Sequence, residues 1–493
     1  MPNISPGATI AALLLSRHAH AAPSPPSENG VGYLHIPVTA ADQLPGTDIN
    51  KRATGGSIEQ ILTNQQLFYS AKVGLGSPPQ QVTVLVDTGS SELWVNPDCS
   101  TATSDILSKL CKTYGHYDPN KSTTPARGPL GNKTIRYGDP SDASTHTSVS
   151  IDYYSDSLSF GSAGITNQTF GVVTKSVGQS QGILGLAPDL QYGFTGKPYN
   201  LVLSSMAQQG LINSAVFSLD LRHMESKTGS IIYGGIDRNK FVGTLERLPL
   251  VPGSQGEFRL SAQMSSFGVT RTKSQTIKVQ GNSSVVMFDS GTSFSRLRRE
   301  VALPIIEALG GRQVTNRVAV DCSILDTQGS VDFGFGNTII RVPFKDFIVA
   351  VSPTECYAGL VITNDNQILG DTILRAGYFV FDWENRAVHV AQAANCGDND
   401  IITVGKGPSA VPKVTGNCQE SDLLYSVGSS TITAAAPIKT VGSGTVPSFP
   451  TNTNARPNDA GQTKSSKSSG NRVGSAPWLI ISLVATTSLL MAL

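Results

Sequence analysis

The chain has 493 residues, more than a single hydrophobic core usually serves, so two or more domains are expected. Charged residues make up 15% of it and the formal net charge is +1, which removes the basic surplus that nucleic-acid binding needs. No HExxH or CxxC pattern occurs and the 7 histidines are scattered, so neither a metal site nor another cofactor is implied; abundant Gly, Ser and Thr suit an all-β extracellular protein rich in turns.

In chain order, the first signal is the apolar stretch "TIAALLLS" (9–16), followed by Ala19-His20-Ala21, a small-x-small cleavage pattern. Residues 1–21 are expected to be a signal peptide, although no Lys or Arg precedes the apolar part. Residues 22–52 then form a polar, Pro-containing propeptide ending at Lys51-Arg52. Such a pair alone is an ordinary solvated loop. Its place between a signal peptide and the first strand pattern points to a processing site that frees Ala53.

The body opens with "VLVDTGSSELWV" (84–95), an apolar strand interrupted by an aspartate and a tight polar turn. A buried charge is costly unless something nearby requires it. Cys99 and Cys111 follow closely enough to close a loop, as Cys322 and Cys356 do later; Cys396 and Cys418 remain. Six cysteines agree with an oxidising compartment. Asn120, Asn132, Asn167 and Asn282 each head an Asn-x-Ser/Thr triplet, an acceptor pattern for N-glycosylation.

Short strands are read at "QVTVLV", "SVSIDYYSDSLSF", "GSIIYGGI" and "RAVHVAQ". Helical spacing predicts packing helices at 200–212 and 299–311, the second marked by Pro304. The chain also repeats itself. "VVMFDSGTSFSRL" (285–297) matches the first aspartate stretch, and "GILGLA" (182–187) is answered by "QILGDTIL" (367–374).

One Asp-Thr-Gly-Ser is an ordinary Asx-type turn. Two of them in a repeated order imply halves that face each other, bringing Asp87 and Asp289 to one point. Carboxylates so placed cannot both ionise comfortably and share a proton, becoming acid and base at once. Gly89 and Gly291 would let backbone approach a carboxylate, Ser90 and Thr292 would donate to the outer oxygens, and Thr88 and Ser290 would bond across the interface.

The C-terminal end runs from a Ser/Thr/Pro-rich segment, read as an O-glycosylated stalk over 401–470, to the apolar "APWLIISLVATTSLLMAL" (476–493). Small residues Ser468, Ser469, Gly470 and Asn471 precede it and no cytoplasmic Lys or Arg follows. That layout reads as a glycosylphosphatidylinositol attachment signal over 471–493, placing the protein on the outer leaflet of the plasma membrane or in the cell wall.

Over residues 67–396 the chain resembles the pepsin-like aspartic peptidases, through "FYSAKVGLGSPPQQVTVLVDTGSSELWV", "HYDPNKST", "IRYGD", "GILGLA", "FDSGTS" and "ILGDTILRAGYFVFDWENRAVHVA". The resemblance implies an all-β, bilobal fold with two pseudo-twofold-related lobes, 53–245 and 246–400, around a deep cleft. It implies hydrolysis of protein or peptide substrates at acidic pH, without metal or covalent intermediate, by a monomer whose dyad is Asp87 and Asp289. Tyr137 and Gly138 match the flap that closes over substrate, and Trp94 matches the tryptophan bonded to the flap tyrosine. The propeptide is expected to cover the cleft. Signal, dibasic site, stalk and lipid tail together resemble the yapsin-type branch of fungi.

The flap departs from the family pattern at Asp139 and Pro140, the latter lacking an N–H. Asp139 is expected to overhang the pocket before the scissile bond and to pair with basic substrate residues. The alternative to an enzyme is a catalytically silent pepsin-like body used for binding or as a wall component.

Overall fold

Strand Gln80–Asp87 alternates as its sequence predicts: Val82, Val84 and Val86 point into the core and Thr83 and Leu85 lie half-buried between them. In the computed structural model, which describes residues 58–423 apart from short gaps at 65–67, 125–126, 141, 162, 189–198, 225, 227, 253–258, 273–274 and 280–283, this strand is one of 13 in a continuous sheet. Lys51, Arg52, Asn282, Ser468, Ser469, Gly470, Asn471 and the two apolar ends lie outside the described residues.

The repeated sequence is a repeated structure. Gln80–Asp87 runs parallel to Gly182–Gly185, with Asp87 level with Gly185, and Leu93–Val95 lies antiparallel on its other side. In the second half Ser284–Phe288 runs parallel to Gln367–Leu369, and Ser295–Arg298 lies antiparallel beyond it. In each half, therefore, the aspartate ends a strand that runs beside the Ile-Leu-Gly strand, and the strand after the aspartate turn lies on the far side of that same neighbour. Predicted helices form at Val202–Gln208 and Arg299–Ala308, with Pro304 inside the latter. Both are shorter than their periodic patterns because Gly210 and Gly310 turn the chain with positive φ.

The halves do not separate at 245/246, where the sequence placed a lobe boundary. That point falls inside strand Phe241–Pro249, which pairs with Ala387–Ala393; Gly377–Asp382 in turn pairs with Val216–Asp220. One sheet thus runs from the C-terminal half through the middle of the molecule into the N-terminal half. The Asp87 strand belongs to this sheet, and Phe288, just before Asp289, packs on it through Phe379 and Phe381.

A second correction concerns the stalk, which does not begin at 401. Ile401–Thr403 pairs with Gly235–Asp237, and Thr415 and Cys418 bridge to Thr244 and Val242. Val404, Ala410 and Val414 are buried against Phe241, Tyr378, Val380 and Ala391. Cys396 and Cys418 close this segment as a disulfide, alongside Cys99–Cys111 and Cys322–Cys356. The apolar residues of 401–423 are too irregularly spaced to read as a strand or helix, yet they cover one face of the shared sheet.

Closing a loop of 22 residues restricts the unfolded chain, so replacing both Cys396 and Cys418 by Ser is expected to lower stability by about 2–4 kcal/mol. Limited proteolysis should then cut within 397–423 before the rest of the body. An unchanged melting temperature and cleavage pattern would show that the packed face holds without the bond.

Candidate active site

The two Asp-Thr/Ser-Gly turns interlock. Thr88 Oγ1 donates to the carbonyl of Phe288 at 2.8 Å and accepts from the N–H of Ser290 at 2.9 Å. Ser290 Oγ donates to the carbonyl of Val86 at 2.9 Å and accepts from the N–H of Thr88 at 3.2 Å. All four bonds cross between halves some 200 residues apart, and both side chains are fully buried. Hydroxyls in a dry environment need partners, and here each supplies the other's.

Within each turn the pattern repeats. Gly89 N–H donates to Asp87 Oδ1 and Gly291 N–H to Asp289 Oδ1, both at 2.8 Å. Ser90 Oγ donates to Asp87 Oδ2, and Thr292 Oγ1 to Asp289 Oδ2 at 2.8 Å. The glycines also mark where the halves touch. A Cβ on Gly89 would stand 2.5 Å from Asp289 Oδ1, and one on Gly291 would stand 2.5 Å from Asp87 Oδ1. Each glycine lies against the opposite carboxylate, so any larger residue would push the pair apart. Burial raises the Asp87 carboxyl above its ordinary range, and the charge of Asp289 raises it further against the bonds from Ser90 and Gly89.

Over the pair reaches a hairpin whose first strand, Asn132–Tyr137, pairs with Thr147–Phe160. Trp94 Nε1 donates to Tyr137 OH at 2.7 Å, with the rings tilted 6.3 Å apart. Burial and then the charge of Asp87 hold the Tyr137 phenol protonated, and Ser90 touches the same hydroxyl. Gly138 turns the tip at φ 111°. Pro140 leaves the tip without one N–H, and a short turn at Ala143–Thr145 shapes it instead, capped by Asp142.

Asp139 does not stand free over a pocket. Its carboxylate meets Arg296 Nη1 at 2.8 Å and accepts from Thr363 Oγ1 at 3.1 Å, both in the C-terminal half. The basic substrate partner expected for it is already supplied by the chain itself.

Three further residues had no role in the sequence reading. Glu92, buried just beyond the first turn, accepts from Lys133 Nζ at 2.7 Å, Tyr153 OH at 2.9 Å and Tyr199 OH, and so ties the root of the hairpin to the Asp87 loop. Asp371, in "QILGDTIL", is fully buried, with no hydrogen-bond partner for either carboxylate oxygen among the described residues. Burial raises it well above the ordinary range, while the nearby charge of Arg375 lowers it. Arg375 itself donates to Tyr69 OH at 3.0 Å. The expected glycan acceptors Asn120, Asn132 and Asn167 are exposed.

Two carboxylates brought together in interlocked turns are joined by a match to known proteins. The family model for eukaryotic aspartyl protease covers residues 68–393. The chain belongs to the eukaryotic aspartyl protease family. This enzyme is an aspartic-type endopeptidase. It is 31% identical over 382 residues to the probable aspartic-type endopeptidase opsB of Aspergillus fumigatus, covering 74% of this chain and 77% of the relative. It is 32% identical over 363 residues to candidapepsin of Candida tropicalis, covering 72% and 85% respectively. Secreted aspartic protease 3 of Candida albicans matches at 33% over 380 residues, covering 73% of this chain and 87% of that protein. The aspartic proteinase of Irpex lacteus shares the fold, with a TM-score of 0.55 at 22% identity over 68% of this chain and 97% of that one. The bilobal all-β reading of the protease is therefore the observed fold.

Proposed function

We propose that the enzyme hydrolyses protein or peptide substrates in acid through Asp87 and Asp289 acting as a pair that shares one proton. The observation that carries this reading is the reciprocal approach of each turn glycine to the opposite carboxylate. In the working state one aspartate is ionised and the other protonated. The ionised group takes a proton from a water between them as that water's oxygen bonds to the substrate carbonyl carbon, and the protonated group gives its proton to the carbonyl oxygen. The gem-diol then collapses, the C–N bond breaks, and the departing amine takes up a proton from the pair. Tyr137, held by Trp94, closes the site from above and excludes water.

The test is cleavage of casein or a quenched peptide by the mature protein. It should be acid-dependent, blocked by pepstatin and lost in Asp87→Asn. Absence of cleavage after propeptide removal would favour the silent binding protein.

The same proposal extends to the ends. Relatives that carry the word secreted in their names, the signal sequence and the Lys51-Arg52 pair support passage through the secretory pathway and release of Ala53. The small residues Ser468 to Asn471 before an apolar tail support a lipid anchor of the yapsin type. Intact mass of the deglycosylated mature protein should correspond to a chain from Ala53 to one of residues 468–471 plus the anchor. A mass that retains 476–493 would overturn the anchor.

A further inference from the structure

The Asp139–Arg296 pair crosses the molecule at the place where substrate must lie, if the proteolytic reading holds. Asp139 sits at the hairpin tip directly after Tyr137 and Gly138, and Arg296 lies on Ser295–Arg298, the strand that follows the Asp289 turn. Their side chains are only 7% and 12% exposed, which sets the pair apart from ordinary surface ion pairs. Thr363, on the strand parallel to Ser295–Arg298, donates to the same carboxylate oxygen that Arg296 meets.

The backbone of Asp139 is fixed separately, within the tip. Its N–H donates to Thr145 Oγ1 at 2.8 Å, and its carbonyl accepts from Asp142 N–H at 2.9 Å and contacts His146 Nε2 at 2.8 Å. The tip presents the carboxylate, and the other half of the protein neutralises it.

We propose that Arg296 is a specificity-determining residue: by occupying the carboxylate of Asp139 across the cleft, it withholds that carboxylate from basic substrate side chains. This rests on the endopeptidase reading above. With both charges matched, a Lys or Arg beneath the hairpin gains no counter-ion that a Leu lacks. Without Arg296, Asp139 loses its guanidinium partner in a poorly solvated place, and a basic substrate side chain is a group able to replace it. Without Asp139 the logic inverts, because Arg296 then becomes the lone cation and favours an acidic side chain.

The experiment profiles peptide libraries with the mature enzyme, Arg296→Met and Asp139→Asn. Met keeps the length of the arginine stem without its charge. Arg296→Met is expected to raise the kcat/KM ratio of Lys over Leu peptides by roughly tenfold to a hundredfold relative to wild type. Asp139→Asn is expected to raise the ratio of Glu over Gln peptides by about tenfold. The double variant should return both ratios to wild-type values.

A pair that served only to latch the hairpin would change every peptide by one common factor and leave these ratios where they were. Unchanged ratios in either variant overturn the proposal while pepstatin-sensitive cleavage of Leu peptides keeps the protease reading standing. A wild-type enzyme that cleaves nothing overturns both.

Discussion

Asp87→Asn is expected to lower kcat by about 10³–10⁴-fold or more, with KM nearly unchanged and the fold intact. Asparagine preserves the shape of the side chain: its Oδ1 can still accept from Gly89 N–H, and its amide N–H can donate to Ser90 Oγ once that hydroxyl turns to accept. What it cannot do is take a proton from water or share one with Asp289. Asp289→Asn should cost as much, and the double variant little more than either, because groups that act as a unit lose their function together. Steady-state kinetics in acid, with circular dichroism to verify folding, measures all three. Activity within tenfold of wild type in either single variant would remove the pair from the chemistry.

The interlock explains why such a loss can be isolated from folding. Thr88 and Ser290, rather than the carboxylates, join the halves, so the acids can be altered while the crossing bonds stay in place. These hydroxyls were readable from the sequence because the turn recurs: Asp, hydroxyl, Gly, hydroxyl, twice, each after a buried strand. Trp94 and Tyr137 became readable only through the family resemblance, since buried aromatics are otherwise ordinary core.

The rest was hidden for physical reasons. The partner of Asp139 depends on where a hairpin tip lands on the other half, and no local pattern near Arg296 announces it. The segment 401–423 has the composition of a disordered tether, but it needs only Val404, Ala410 and Val414 to bury itself, because the sheet beneath is already formed. One signal did point to it: Cys418 stands well inside the supposed stalk, and a half-cystine there requires a folded partner. The shared sheet was illegible because the strands of both halves alternate alike, whichever half they pair with.

Stability is expected to be greatest in acid and to fall toward neutral pH. In the unfolded chain Asp87 and Asp371 release their protons near the ordinary value of 3.8, whereas burial makes the folded protein hold them to higher pH. Over that interval the folded state binds more protons than the unfolded state, so stability falls as pH rises, by about 1.4 kcal/mol per pH unit for each such proton. Asp220 and Asp237, raised mainly by burial, act in the same direction.

His389 opposes them. Burial lowers its pKa to about 4 from 6.5, so its contribution is complete above 6.5 and is lost as pH falls toward 4. The raised carboxylates outnumber it, so the net slope just above 4 remains negative, and Asp87, raised to about 8, keeps it negative above 6.5 where the imidazole no longer counters. Asp371→Asn should make the slope shallower by about one proton, and His389→Phe should make it steeper between 4 and 6.5 only. Denaturant unfolding of the mature protein at a series of pH values reads these slopes directly, and slopes are the right quantity because the Asn amide leaves its own unpaired groups at every pH. Stability that rises from pH 4 to 7 would show that the buried carboxylates are ionised in the folded protein and that the pair does not hold its proton.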